Sequence, residues 1–135
     1  MKKLLFSLLL LMSVVIIGCS NSTMKLNEIT VDELLEIYET TGFNHEEVMY
    51  IDVREKNEFT DRHIEGFEVF PKSIIECLVE EISEEEKDLV IICNTQNRSK
   101  AVGELLVSEY GFSPTNITIV QGGVSSWKGP VVSGN

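Results

Sequence analysis

A cysteine and an arginine bracket a short polar loop that could hold a negatively charged sulfur. The apolar run 89–92 predicts a buried strand that delivers Cys93 to its end; four residues then precede Arg98, and Ser99 begins a predicted helix. In open α/β sheets, ligands bind beyond the carboxyl ends of the strands. The helix dipole, inward-pointing loop N–H groups and the cations Arg98 and Lys100 would all favour a thiolate, which is the nucleophilic form. The loop therefore predicts nucleophilic sulfur chemistry at Cys93.

The alternative for Cys93 is a buried structural cysteine at the end of a strand. A cysteine alone would favour that alternative, whereas a polar loop, an arginine and a helix start together favour the reactive form. Cys77 falls near the apolar stripe of the predicted helix 73–82, so we expect it to be buried and inert. Its own alternative is a resolving thiol that attacks oxidised or sulfurated Cys93.

The elements that must position this loop alternate between strand and helix. Thr30, with Glu33 three residues on, predicts the capping box of an amphipathic helix that stops at Gly42. Helical segments are also predicted over 55–61, 73–82 and 99–110, and strands over 48–53, 68–70, 89–92 and 116–120. This alternation implies right-handed crossovers and an α/β fold with a mostly parallel sheet, covered by helices on both faces.

Composition and charge exclude several classes of protein. The 135 residues suit one domain, and 43% hydrophobic with 24% charged residues excludes a disordered, collagen-like or polytopic membrane chain. There are 22 acidic and 11 basic residues, so the net charge of −11 repels nucleic acid and anionic lipid surfaces. Most acids lie between Glu28 and Asp88, which leaves room for a local anion site in the last third of the chain.

The first residues have the pattern of a targeting signal. A basic start precedes the largely apolar run 4–17, which is too short to span a bilayer and has the length of a secretory signal. The run leads to Cys19, and the segment resembles a bacterial lipoprotein signal peptide. The resemblance implies a signal peptide at 1–18, lipidation of Cys19 and a lipid-anchored tether at 19–25. It also implies a location outside the cytoplasm, on the cell membrane or, in a two-membrane cell, in the periplasm or on the outer membrane. An uncleaved anchor is the alternative.

Four patterns along the chain resemble those of the rhodanese-like (sulfurtransferase) family. They are Tyr50-Ile51-Asp52-Val53-Arg54 for the Asp-x-Arg strand end, His63-Ile64-Glu65-Gly66 for the His-Ile-x-Gly turn, Cys93-x4-Arg98-Ser99 for the catalytic loop, and Gly122-Gly123-Val124-Ser125-Ser126-Trp127 for the Gly-Gly-x3-Trp ending. Each pattern alone is weak, but all four in this order and spacing are specific. The resemblance implies a single rhodanese-like domain at 26–130, followed by a tail at 131–135.

The resemblance also implies a three-layer fold with a central five-stranded sheet, and a two-step reaction. The Cys93 thiolate would take a sulfane sulfur from a small anionic donor such as thiosulfate, becoming a persulfide, and pass it to cyanide or a thiol. Arg98 would be the main substrate-binding side chain, within a cradle completed by Asn94, Thr95, Gln96, Asn97 and Ser99. Neither a metal nor an organic cofactor is required, and the N-terminal lipid would be the only contact with a membrane.

Loop length and three departures from the family pattern bear on the substrate. Related phosphatases of this fold carry one more residue between cysteine and arginine, so the four residues here favour sulfur transfer. The fourth loop position, usually glycine, is Gln96, and we expect it to reach glycine-type backbone angles only with strain. Arg62 replaces a glycine and Phe67 an alanine in the His-Ile-x-Gly turn, and we expect the bulky Phe67 to reshape the site.

Three polar residues are expected to support the site rather than react. Asp52 and Arg54 would brace its loops through hydrogen bonds, and His63 would be a structural histidine, because an already formed thiolate needs no base. Besides the sulfurtransferase, two functions stay open. One is a non-catalytic module for partner binding or sulfane sensing, which Gln96 favours; the other is a thiol redox protein that uses Cys77 and Cys93.

Overall fold

Strands and helices alternate along residues 24–135, the part of the chain that this computed structural model describes. The strands are β1 (Asn27–Thr30), β2 (Val48–Asp52), β3 (His63–Ile64), β4 (Glu68–Val69), β5 (Asp88–Ile92), β6 (Ile117–Gln121) and β7 (Val131–Val132). The α-helices are α1 (Val31–Thr40), α2 (Lys56–Asp61), α3 (Ile75–Glu84), α4 (Asn97–Tyr110) and α5 (Gly123–Ser126), with short 3-10 turns at Lys72–Ile74 and Pro114–Asn116.

Within the described residues, five strands form one parallel sheet in the order β1-β6-β5-β2-β4. Ile51, Ile91 and Ile119 stand side by side on the three central strands, and all three are fully buried. The predicted α/β fold with a five-stranded, mostly parallel sheet is therefore confirmed. Because β2 and β5 are neighbours, with Asp52 opposite Ile92, their carboxyl ends meet at one edge.

The sheet buries an apolar cluster on each face. One cluster includes Ile82 from α3 and Leu106 from α4. The other includes Leu34 from α1, Phe59 from α2 and Val124 from α5. Strands covered on both sides need near-continuous apolar runs, which is what made the central strands predictable.

The predicted helix boundaries follow from local hydrogen bonding. At the start of α1, the Glu33 N–H donates to Thr30 Oγ at 3.2 Å and the Thr30 N–H donates to Glu33 Oε2 at 2.7 Å, which confirms the capping box. At its end, Gly42 has φ +72 and donates to the Ile37 carbonyl at 2.9 Å. Gly111 ends α4 in the same left-handed conformation, at φ +74.

Three short strands, β1, β3 and β7, are absent from the sequence prediction. β1 is an exposed edge strand in which Ile29 is the one apolar residue, so it shows no apolar alternation. β7 corrects the predicted tail at 131–135, because Val131–Val132 pair antiparallel with His63–Ile64. The Gly134 N–H also donates to the Thr60 carbonyl at 2.8 Å, so this segment is part of the fold.

No helix within residues 24–135 has both the length and the apolarity needed to cross a bilayer. The predicted signal peptide at 1–18 and lipidation at Cys19 lie outside the described residues, and both stay predictions.

Candidate active site

Cys93 lies directly after β5, at the carboxyl edge of the sheet. The residue is only 1% exposed, and its Sγ donates to Ser99 Oγ in the first turn of α4 at 3.5 Å. The Ser99 hydroxyl in turn donates to the Gln96 carbonyl at 2.9 Å. Since a hydroxyl can rotate, the same group can donate to a thiolate. Ser99 therefore holds the Cys93 sulfur at the start of α4.

The carbonyl groups at the start of the loop are bound by α5. The N–H groups of Val124 and Ser125 donate to the carbonyls of Cys93 and Asn94, each at 2.9 Å. Gly123 makes this approach sterically feasible, because it has φ +59 and a side-chain carbon there would lie 2.5 Å from the Cys93 carbonyl oxygen. The lack of a side chain at Gly123 therefore lets α5 contact the loop backbone directly.

The start of α4 offers hydrogen-bond donors to an anion. Gln96, the N-cap residue, makes no side-chain hydrogen bond to the first turn of the helix. The first N–H groups of any α-helix lack intrahelical acceptors, and they carry the positive end of its dipole. With two loop carbonyls turned to α5, this side of the loop suits negative charge on sulfur.

Gln96 has a negative φ, so the prediction that it adopts glycine-type backbone angles is wrong. Its φ of −166 is extended and lies outside the left-handed region. Its side chain instead donates from Nε2 to Glu28 Oε1 at 3.0 Å, and Gln121 Nε2 donates to the other oxygen of Glu28 at 2.7 Å. Glu28 on β1 therefore ties the loop to the edge of the sheet.

Arg98 is paired with Glu58 of α2. Its Nη1 and Nη2 donate to Oε2 and Oε1 of Glu58 at 2.6 and 2.9 Å, and both side chains are 32% exposed. The hydrogen bond from Arg98 lowers the pKa of Glu58 from 4.5 to about 2, and the same bond raises the pKa of Arg98. An anionic substrate would compete with Glu58 for this guanidinium, and donor binding by Arg98 stays a prediction.

Asp52 and Arg54 form a second pair at the end of β2, where Asp52 lies opposite Ile92 of β5. Arg54 Nη2 donates to Asp52 Oδ2 at 2.6 Å, and the side chains are 4% and 0% exposed. The guanidinium also donates to the backbone carbonyls of Glu58 at 3.4 Å and Arg62 at 2.9 Å. These bonds fix the end of α2 against the sheet, which is the geometry that bracing requires.

His63 and Phe67 lie within the packed face of the sheet. His63 Nδ1 is 2.8 Å from the Phe59 carbonyl oxygen, and its ring stacks on the Phe59 ring with centroids 3.6 Å apart. Phe67 is 4% exposed and packs edge-on against Phe43 and Tyr50. Both residues therefore have the contacts of structural side chains.

The remaining loop side chains face different surroundings. Asn94, Thr95 and Asn97 are exposed, whereas Ser99 is buried. The fold therefore brings Cys93 and Ser99 into contact and leaves the three exposed polar side chains towards solvent.

Cys77 is exposed, so its predicted burial is wrong. The side chains of α3 that face the core are Ile75, Val79 and Ile82, spaced by four and three residues. Cys77 lies two residues from Ile75 and therefore points to another side of the helix. Both described cysteines are free thiols.

Three residues at this edge were missing from the sequence prediction of the site. Glu58 binds Arg98, Glu28 binds Gln96, and Arg62 Nη2 donates to the Val124 carbonyl at 3.1 Å. Glu58 did carry a local signal, because it forms a capping box with Glu55, but that signal points to a helix start rather than to a site. The sequence signal at Arg62 is its departure from the family pattern.

Comparisons with known proteins agree with the geometry. Residues 30–130 match the model of the family described as Rhodanese-like domain. No curated protein matches this chain.

Several solved structures are similar. A rhodanese-related protein from Thermoplasma volcanium has 31% identity and a TM-score of 0.61, with 78% of this chain and 97% of that chain covered. A Staphylococcus saprophyticus protein has 27% identity and a TM-score of 0.62, covering 76% and 93%. The thiosulfate sulfurtransferase of Pseudomonas aeruginosa shares the fold, at 17% identity and a TM-score of 0.62, over 82% of this chain but 21% of its own.

Proposed function

This chain belongs to the rhodanese-like domain family, and we propose that it is a sulfurtransferase that carries a sulfane sulfur on Cys93. The observation that carries the proposal is the position of the Cys93 sulfur, 3.5 Å from Ser99 Oγ at the uncapped start of α4. Two loop carbonyls are bound by α5, which leaves donors rather than acceptors for an anionic sulfur. This arrangement supports both a thiolate and a persulfide at position 93.

With thiosulfate as the donor, the proposed reaction is balanced in two steps. The Cys93 thiolate attacks the outer sulfur, the sulfur–sulfur bond of thiosulfate breaks, and sulfite leaves with the electron pair. The Cys93 persulfide anion then passes its outer sulfur to cyanide or a thiolate, which restores the Cys93 thiolate. If the cysteine starts as a thiol, its proton is first lost to solvent. The covalent intermediate predicts ping-pong kinetics.

Access to the sulfur requires the loop to move. Cys93 is 1% exposed, whereas the two ties at the outside of the loop, Gln96–Glu28 and Arg98–Glu58, lie at or near the surface. Exposed hydrogen bonds and ion pairs exchange readily with water. We therefore assign loop opening to these two ties, with the α5 contacts staying in place.

Thiocyanate formation from thiosulfate and cyanide tests this function. We expect the purified chain to produce thiocyanate, the Cys93→Ser variant to produce none, and the Cys77→Ser variant to match the wild type. Activity that survives Cys93→Ser, or that requires Cys77, would exclude the proposed role of Cys93. Release of phosphate from an aryl phosphate by Cys93, without thiocyanate formation, would instead support a phosphatase.

The burial of Cys93 and the neutralisation of Arg98 by Glu58 favour a second candidate, a non-catalytic module that keeps the fold for binding. Such a protein would leave Cys93 unmodified by thiosulfate, and Cys93→Ser would retain the biological effect of the wild type. Retained effect together with absent sulfur transfer would favour this candidate over the enzyme.

We further propose that Cys19 carries a lipid and holds the domain outside the cytoplasm. The proposal is supported by the resemblance of the first 19 residues to a lipoprotein signal peptide. Incorporation of labelled fatty acid into the wild type but not into Cys19→Ser would support it. Equal incorporation, or none in either protein, would contradict it.

A further inference from the structure

Three side-chain and backbone contacts close a ring around the start of the catalytic loop. Glu58 links α2 to the loop through Arg98, and the Val124 N–H links α5 to the loop through the Cys93 carbonyl at 2.9 Å. The third contact joins α5 back to α2, because Arg62 Nη2 donates to the Val124 carbonyl at 3.1 Å. Val124 therefore contacts the loop through its own N–H, and it contacts Arg62 through its own carbonyl.

The three arginines near this edge differ in whether a carboxylate compensates their positive charge. Arg54 is paired with Asp52, and Arg98 is paired with Glu58. Within residues 24–135, Arg62 makes no ion pair with a carboxylate, and its one side-chain hydrogen bond is to a neutral carbonyl. Arg62 is also exposed. It therefore keeps an uncompensated positive charge and spare donors on the ring.

The backbone of Arg62 is held in place from two sides. Its carbonyl accepts from Arg54 Nη2 at 2.9 Å, and its N–H donates to the Glu58 carbonyl at 3.3 Å. His63, the next residue, is stacked on Phe59. A cation mounted on a fixed backbone loses little conformational freedom when it binds a ligand.

We propose that Arg62 binds the oxyanion end of the sulfur donor, a small dianion with a terminal sulfur on a sulfonate group. This inference rests on the proposed sulfurtransferase function. The planar guanidinium presents two parallel donors that match two oxygens of a sulfonate. Arg98 then acts as a positioning residue that holds the loop to α2 through Glu58.

The chemistry of the reaction predicts which kinetic constant depends on Arg62. The sulfonate oxygens stay on the same group when the sulfur–sulfur bond breaks and sulfite departs with the electron pair. Because sulfite keeps the electron pair, the negative charge on these oxygens increases during cleavage, and Arg62 stabilises the transition state at least as strongly as the bound donor. Loss of Arg62 therefore lowers kcat/KM for thiosulfate.

The experiment compares Arg62→Gln, Arg62→Lys and a control that removes an equal charge elsewhere. Lys87→Gln is that control, because Lys87 pairs with Glu85 and precedes β5 at the opposite edge of the sheet. We expect Arg62→Gln to lower kcat/KM for thiosulfate about tenfold. Arg62→Lys should retain part of the affinity, and Lys87→Gln should behave as the wild type.

Two further readouts separate donor binding from a structural role. Methanethiosulfonate is a donor with one negative charge fewer. Arg62→Gln should therefore lower its kcat/KM less than it lowers the kcat/KM for thiosulfate. Alkylation of Cys93 by uncharged iodoacetamide, followed by peptide mass spectrometry, should keep its wild-type rate. Equal kcat/KM values for thiosulfate in the wild type and Arg62→Gln would overturn the assignment. An equal fractional fall in kcat/KM for both donors and in the rate of alkylation by iodoacetamide would also overturn it.

A binding measurement keeps this inference distinct from the proposed function. Calorimetric titration of the Cys93→Ser chain with sulfite requires no sulfur transfer. Sulfite binding that weakens about tenfold on adding Arg62→Gln supports the assignment even if the wild type transfers no sulfur. The assignment of Arg62 is overturned if sulfite does not bind, or if Arg62→Gln leaves the affinity for sulfite unchanged. This holds even if the wild type is an active sulfurtransferase.

Discussion

Two arginine–carboxylate pairs lie at the same edge of the sheet and differ in burial. The Asp52–Arg54 pair is almost fully buried, and Arg54 adds bonds to two backbone carbonyls. The Glu58–Arg98 pair has a similar closest distance of 2.6 Å but is 32% exposed on both sides. A buried pair cannot lose one partner without leaving a buried charge, whereas an exposed pair can exchange with water or an anion.

This difference divides the contacts at this edge of the sheet into two sets. The inner ties are the Asp52–Arg54 pair and the hydrogen bonds from α5 next to Gly123. The outer ties are the Glu58–Arg98 and Glu28–Gln96 contacts. We infer that the inner ties maintain the fold of the site and that the outer ties govern access to Cys93.

The largest expected effect comes from breaking the buried pair. Asp52→Asn leaves the Arg54 charge buried without a counter-charge, so we expect a loss of about 3–5 kcal/mol in the free energy of unfolding. Urea denaturation measures it. The control Glu85→Gln breaks an exposed pair with Lys87 and should change stability by no more than about 0.5 kcal/mol. Equal effects of the two variants would remove the distinction between inner and outer ties.

The second prediction concerns the close approach of α5 to the loop. Gly123→Ala should cost about 2–3 kcal/mol, because the left-handed backbone and the contact with the Cys93 carbonyl both oppose a side chain. Gly111→Ala is the matched control, with φ +74 but open space around it, and should cost about 1 kcal/mol. The rate of sulfur transfer should fall in Gly123→Ala and stay at the wild-type value in Gly111→Ala. Similar stabilities and activities would mean that α5 does not shape the loop.

The third prediction uses the pH dependence of the exposed pair. Because Arg98 lowers the pKa of Glu58 from 4.5 to about 2, the pair stabilises the fold above pH 4.5 and loses this contribution as the pH falls towards 2. Glu58→Gln should therefore cost about 1 kcal/mol near neutral pH, with the difference from wild type shrinking between pH 4.5 and 2. Urea midpoints over that range measure it. A difference that is constant with pH would contradict the ion pair.

The smallest effect on stability is expected at Gln96. Gln96→Ala removes the tie to Glu28 while keeping an extended backbone, so stability should change by no more than about 0.5 kcal/mol. Alkylation of Cys93 by iodoacetamide should become at least about twofold faster, since loop opening no longer breaks that bond. Glu28→Ala should accelerate alkylation to the same extent. Unchanged rates in both variants would show that this tie does not control access.

Local patterns account for what the sequence predicts well. The capping box of Thr30 and Glu33 spans four residues, and the apolar run of β5 identifies both a central strand and the position of Cys93. The sequence pattern does not predict β1, because an exposed edge strand needs no apolar alternation. Cys77 was assigned to the wrong side of α3 because a nearby apolar residue does not fix the angle around the helix.

Long-range pairs account for what the sequence could not predict. Glu58 and Arg98 are 40 positions apart, and Glu28 and Gln96 are 68 positions apart. Nothing in either local segment identifies its partner, because the contact depends on which strands become neighbours. The position of Cys93 at the end of β5 was therefore predictable, whereas the network of contacts around its loop required the structure.

Intact mass spectrometry after incubation with thiosulfate shows directly whether Cys93 carries the transferred sulfur. We expect the purified chain to gain the mass of one sulfur atom, Cys93→Ser to gain none, and cyanide to remove the added sulfur. An unmodified wild type, or an adduct that persists in Cys93→Ser, would contradict the claim that Cys93 carries the transferred sulfur.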